Sequence, residues 1–320
     1  MPRTLEEQRA SLIARVERQL NLPVVEFVPS PRTTGYRSRI ELTPDSNGIL
    51  GYRAPRSHEP VAVCHCPVAR PEINDVLAQL TPAPVLTQRV ALRSNGRDVV
   101  LHARAKDKHR GVVRRWLDGL AHLNIPLALN GRGVLGDPTT VLSVAGVTHR
   151  LSPATFYQVN LEINARLVED VISMVESLKP AGILDLFSGA GNLSMPLAAK
   201  GFSTTLIESH PTAVKDARRT AARLSVSADI REGRAEKFHA GDAFFDVAVL
   251  DPPRKGAGAV IDQVLLTRPK GVVMVSCNAA ALAGDLARAE AHGYRLSQLR
   301  LYEMFPHTGH AEVMGLLSSR

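Results

Sequence analysis

The chain has 320 residues, 44% hydrophobic and 22% charged, ordinary for a folded soluble protein and long enough for about two domains. Its net charge is +8, and the excess is uneven: residues 1–150 hold 21 Lys+Arg against 13 Asp+Glu, whereas residues 151–320 hold 18 against 18. No apolar run is long enough for a membrane span, and the N-terminus lacks an apolar signal core. Three cysteines, Cys64, Cys66 and Cys277, are too few for a disulfide framework or for a four-cysteine zinc or iron–sulfur site. These features predict a cytoplasmic protein with reduced thiols, no membrane partner, no metal and no iron–sulfur cluster. The Arg-rich first half suits bidentate phosphate contact, which points to a nucleic-acid partner.

In chain order, the apolar spacing of Leu5, Leu12, Ile13, Val16 and Leu20 predicts an amphipathic helix over residues 3–20. Residues 37–42 and 49–53 read as strands around a Pro-Asp-Ser-Asn-Gly turn, and 70–80 as a helix. Residues 85–92 and 98–105 are β-rich and flank Asn95-Gly96, a favoured hairpin pair. Residues 104–115 carry six positive charges in twelve positions. After about residue 150 the pattern becomes a long helix (161–178) followed by alternating strands and helices, with a final pair of extended runs. That alternation predicts a parallel, doubly wound sheet. The expected division is therefore 1–150, a basic mixed α/β region, and 151–320, an α/β catalytic domain.

Residues 183–192 read as strand, glycine loop and helix start, with Gly189 and Gly191 allowing close backbone approach to a ligand. Glu208 ends the next strand, 23 residues after Asp185, where an acid suits a ribose diol. A nicotinamide dinucleotide wants a third glycine, and here that position is Ser194. Asp185 repels a pyrophosphate but accepts from an ammonium, which favours S-adenosylmethionine. Asp251-Pro-Pro-Arg254 is a rigid loop at the sheet's carboxyl edge; it lacks the aromatic residue that base-amine methylation uses for stacking. Cys277 ends an apolar strand just before a helix, where the helix dipole favours thiolate. His307, His310 and Glu312 raise a metal site as one alternative and a carboxylate base at Glu312 as the other. A thiolate, a methyl donor and a base together fit methylation at C5 of a uracil: addition at C6 activates C5, and the base then removes the C5 proton. A nicotinamide-dependent oxidoreductase and a non-catalytic RNA-binding protein are the competing readings.

Five ordered motifs carry a resemblance: Phe156-Tyr-Gln-Val-Asn160, Leu184-Asp-Leu-Phe-Ser-Gly-Ala-Gly-Asn192, Asp251-Pro-Pro-Arg-Lys-Gly256, Ser276-Cys-Asn278 and Met304-Phe-Pro-His-Thr-Gly-His-Ala-Glu312. A looser match runs through Tyr36–Arg39, Leu50–Arg53, Arg56–His58 and Cys66-Pro67. On these residues the chain resembles the RNA uracil-5-methyltransferase family. The resemblance implies a seven-stranded Rossmann-like domain and methyl transfer from S-adenosylmethionine to an unpaired uridine in rRNA or tRNA. It implies Cys277 as nucleophile and Glu312 as proton acceptor. It places Gln158, Phe187, Asn192, Glu208 and Asp251 at the cofactor, and Phe156 and Arg254 at the target base. Against many rRNA-modifying members, which carry four cluster cysteines and a leading β-barrel domain, the three cysteines and the helical start predict neither here.

Overall fold

The computed structural model describes residues 4–24, 26–54, 60–239, 241 and 245–319. Packing divides the chain into two units: residues 1–31, 143–149 and 162–320 form one, and 32–142 with 150–161 form the other. This differs from a boundary near residue 150. The first helix, α1 (Leu5–Leu20), opens with a Thr4–Glu7 capping box and ends at left-handed Asn21. Leu12, Val16 and Leu20 lie on its buried face and join the core of the larger unit. Strand β1 (Glu26–Val28) follows.

The smaller unit is built from β2 (Arg39–Pro44), β3 (Leu50–Arg53), β4 (Pro60–Ala62), α2 (Pro71–Leu77), β5 (Thr87–Ser94), β6 (Val99–Ala105), α3 (Arg110–Gly119), β7 (Leu127–Leu129) and β8 (Arg132–Leu135). Its sheet runs β4-β3-β2-β5-β6-β7-β8. Neighbours are antiparallel except β6 and β7, which are parallel and joined through α3. In β2, Ile40, Leu42 and Pro44 are buried and alternate with more exposed Arg39, Glu41 and Thr43. The inward set packs with Leu92, Leu101 and the α2 and α3 faces. The Arg56–His58 motif lies outside the described residues. Counted by packing, this unit holds 17 Lys+Arg against 9 Asp+Glu, while the larger unit holds 22 of each. The whole +8 therefore belongs to the smaller unit.

A hairpin, β9 (Thr140–Val144) and β10 (Val147–Leu151), precedes the remaining elements: α4 (Leu161–Ser177), β11 (Ile183–Leu186), α5 (Ser194–Ala199), β12 (Thr204–Glu208), α6 (Pro211–Leu224), β13 (Ala228–Glu232), β14 (Val247–Leu250), α7 (Ala259–Leu266), β15 (Gly271–Ser276), α8 (Ala279–Ala291), β16 (Tyr294–Tyr302) and β17 (Glu312–Ser319). The larger unit's sheet runs β1-β16-β17-β15-β14-β11-β12-β13. It has eight strands, not seven: β1 adds to the β16 edge in parallel. Strands β11 to β15 are mutually parallel, and β17 is antiparallel to both its neighbours. Every residue of β11, β14 and β15 is buried, as expected of strands covered on both faces. No helix among the described residues is long and apolar enough to cross a membrane.

Candidate active site

Strand order reverses at β11, which lies between β12 and β14; ligands in such sheets bind at the carboxyl ends around that point. Leu186 pairs with Leu250, so the loops beginning at Phe187 and Asp251 leave the sheet side by side. Ser276 pairs with Val313 in an antiparallel ladder. The next residues outward, Cys277 and Glu312, therefore face each other across that ladder. Two motifs 35 positions apart in sequence meet through strand register alone.

The glycine loop turns through positive φ at Phe187 (62°), Gly189 (56°) and Gly191 (81°). For a bulky residue such as Phe187 this is a strained backbone, of the kind that concentrates at functional sites. A Cβ on Gly191 would meet Met195 Cγ at 2.6 Å, so only glycine fits. Glu208 accepts from the Gly189 N–H at 2.9 Å and the His210 N–H at 2.6 Å, which fixes its carboxylate beside the loop. Asn192 exchanges a reciprocal pair of amide hydrogen bonds with Asn164 of α4, at 2.8 and 2.9 Å. A cavity of about 400 Å³ opens here, lined by Phe187, Glu208, Gly233, Arg234 and Pro253 among others. Phe187 and Glu208 line it, and Asn192 and Asp251 do not.

Asp185 is 1% exposed, and burial pushes its pKa up to about 8. Neither carboxyl oxygen has a well-formed hydrogen bond; the buried Ser194 hydroxyl pulls the other way without offsetting burial. The sequence reading treats Asp185 as a ready anion. Burial favours its neutral form, and an incoming cation would favour its ionisation.

A second cavity, of about 270 Å³, is lined by Cys277, Arg254, Asn278 and His310. Asn278 caps α8, accepting from the Ala280 N–H at 3.2 Å, while its amide donates to the Arg254 carbonyl at 2.9 Å. One side chain thus sets the helix start under Cys277 and ties it to the Asp-Pro-Pro-Arg loop. The far end of that loop is held by Asp285 of α8, which accepts from the Ala257 and Gly258 N–H groups at 2.8 Å each. Sequence reading misses Asp285. The available signal is an acid on the buried Leu282–Ala289 face of an Ala-rich helix. Arg254 approaches His310 at 3.3 Å.

The electrostatics correct one expectation. Burial raises the Cys277 thiol pKa, Glu312 and Asp251 raise it further, and Arg254, which hydrogen-bonds the thiol, only partly opposes them. The thiol form is favoured, because burial and two carboxyl groups disfavour the thiolate. Burial also lifts Glu312 well above the usual carboxylate range and raises Asp251, so the pair holds protons readily. His307, His310 and Glu312 form no metal-binding cluster; among the described residues no group of three or more potential ligands is assembled.

Phe156 and Gln158 belong to the smaller unit rather than to the half that carries Cys277. Buried Arg93 donates to the carbonyls of Ser152 and Thr155, and Ser38 N–H bonds the Val159 carbonyl at 2.8 Å, so their segment extends that unit. Phe156 is 65% exposed, whereas Gln158 is buried.

A methyltransferase-domain model matches residues 183–252. The chain is 33% identical over 292 residues to the 23S rRNA (uracil(1939)-C(5))-methyltransferase RlmD of Pectobacterium atrosepticum, covering 84% of this chain and 63% of that protein. It is 31% identical over 300 residues to the protein of the same name from Dichelobacter nodosus, covering 88% and 70%. The solved structure of the Pyrococcus abyssi tRNA (uracil-54, C5)-methyltransferase in complex with S-adenosyl-L-homocysteine matches with a TM-score of 0.83 at 25% identity, over 98% of this chain and 83% of that one. The chain spans about two thirds of the length of these curated relatives. With this identity and coverage, a Cys277–Glu312 pair and a glycine-loop cavity on one sheet edge, the chain belongs to the RNA uracil-C5-methyltransferase family.

Proposed function

We propose that this protein methylates C5 of an unpaired uridine in rRNA or tRNA, using S-adenosylmethionine and a covalent Cys277–C6 adduct. The observation that carries the reading is the register that sets Cys277 opposite Glu312, on the same edge as the glycine loop. The residues present fit the cofactor. Phe187 and Pro253 offer apolar walls for an adenine, Glu208 offers acceptors for a ribose diol, and Asp185 is a buried acid lacking a strong partner. Bound S-adenosylmethionine supplies the methyl group. The family pattern also assigns Gln158, Asn192 and Asp251 to the cofactor, and Phe156 and Arg254 to the target base.

The chain's own chemistry follows from the pKa directions. Cys277 passes its proton to solvent as its sulfur bonds to C6, and the C5–C6 π pair moves to leave an enolate over C5 and C4. C5 takes the methyl group. Glu312, as carboxylate, then accepts the C5 proton, and the C6–S bond breaks to return the thiolate and restore the ring. Burial that raises the Glu312 pKa makes its carboxylate a stronger acceptor for that proton. Arg254 beside the thiol stabilises negative charge on sulfur. The test is release of tritium from [5-³H]uridine-labelled total RNA of a strain lacking this protein. Release that requires both S-adenosylmethionine and Cys277 is expected. Methyl transfer without tritium release contradicts the assignment to C5.

A further inference from the structure

Helix α1 packs in the larger unit although the sequence groups it with the basic half. Three polar contacts lash it to the segment leading to Glu312. Arg9 makes a bidentate pair with buried Glu303, at 2.9 and 2.6 Å. Arg15 donates to the Gly309 carbonyl. Arg15 also lines the Cys277 cavity, together with Val16 and Gln19 of the same helix. A further hollow, of about 400 Å³, shares Arg15 and Gly309 with that cavity; Gln8, Ser11, Leu12, His307 and Thr308 also line it. Arg15 and Gly309 thus form the sill between an outer groove and the chamber holding the thiol. The groove presents hydroxyl, amide and imidazole groups and has no carboxylate in its lining.

We propose that α1 is part of the RNA-binding wall of the active site, with Arg15 taking a backbone phosphate beside the target nucleotide. The proposal rests on the uridine-methylating reading above. A base seated against Cys277 is attached to a chain that must leave the cavity, and the outer groove across Arg15 is an exit lined with phosphate- and ribose-compatible groups. A guanidinium held by one carbonyl keeps further N–H donors for a phosphate. It is also fixed in place before RNA arrives, which lowers the ordering cost of the contact. Gly309 belongs to the arrangement: a Cβ there would stand 2.8 Å from the Arg15 Nη1.

The test is fluorescence anisotropy of labelled oligouridylate across a KCl series with the full chain, alongside a steady-state kinetic split on total RNA. Arg15→Gln should weaken binding about tenfold and flatten the log–log salt slope by about 0.7, the value for one phosphate contact on a single strand. It should raise KM far more than it lowers kcat. Arg15→Lys keeps the charge and should keep the slope. Arg18→Gln, an exposed change one turn along, should leave both unchanged. If Arg15 only braces Gly309, Arg15→Lys and Arg15→Gln will lose kcat and melting temperature alike with wild-type slopes, and the proposal is wrong. If wild-type protein binds RNA with the predicted slope yet releases no tritium, the uridine reading fails while the Arg15 contact stands.

Discussion

The two units differ in how their sequences encode them. In the larger unit, β11, β12, β14 and β15 each run into a residue or loop with a chemical signature, and their parallel order puts these on one edge. In the smaller unit, chemistry is spread as charge: a sheet of mostly antiparallel neighbours carrying the whole +8. Catalysis needs a few groups placed within bonding distance, which requires motifs. Adhesion to a polyanion needs only a field, and many arrangements of arginine supply one.

Replacing arginines on each unit in turn tests that division. Arg110, Arg114 and Arg132 line one hollow of the smaller unit. Changing all three to Gln should reduce the salt slope of oligouridylate binding by about 2 and weaken binding more than tenfold at low salt. Changing Arg218, Arg223 and Arg295 of the larger unit to Gln should leave the slope nearly intact. Equal losses from both triples would remove the distinction between a charged unit and a catalytic one.

A smaller effect sharpens the other side. The rate of Cys277 alkylation by iodoacetamide in the free protein should rise with a midpoint above the ordinary thiol range, because burial and two carboxyl groups disfavour the thiolate. Removing a negative neighbour must lower that midpoint, and removing a positive one must raise it. Glu312→Gln is expected to shift it down and Arg254→Gln to shift it up. Shifts of the same sign in both variants would show that the thiol does not feel these two charges.

What was legible in the sequence follows the same divide. Helix α4 (Leu161–Ser177) falls where apolar spacing puts it, over 161–178. Local signals decide such elements. Strand β13, with its partly exposed Ala-Asp-Ile-Arg-Glu sequence, and β1, a three-residue edge strand, lack a hydrophobic run and depend on partners elsewhere in the chain. The eighth strand was hidden for that reason. Helix α1 was found, but not its place: its apolar stripe states that a face is buried and not against what. Cys277 and Glu312 were legible as residue types, while their opposition is a property of strand register. The protonation of Asp185 and Cys277 was not legible, because burial and neighbours set it and neither can be read from an isolated motif.

In the proposed reaction, Cys277 and Glu312 act in succession on one uracil ring. Glu312→Gln preserves the shape of the side chain and removes the proton acceptor. Incubated with total RNA from a deletion strain and methyl-labelled S-adenosylmethionine, the variant should stall after methyl transfer. It should then accumulate as a protein–RNA complex that survives denaturing electrophoresis and carries the labelled methyl group, and adding Cys277→Ala should abolish the band. A folded Glu312→Gln protein that binds RNA yet leaves no labelled band would contradict the role of Glu312; a Cys277→Ala protein that still methylates uridine would contradict the covalent scheme.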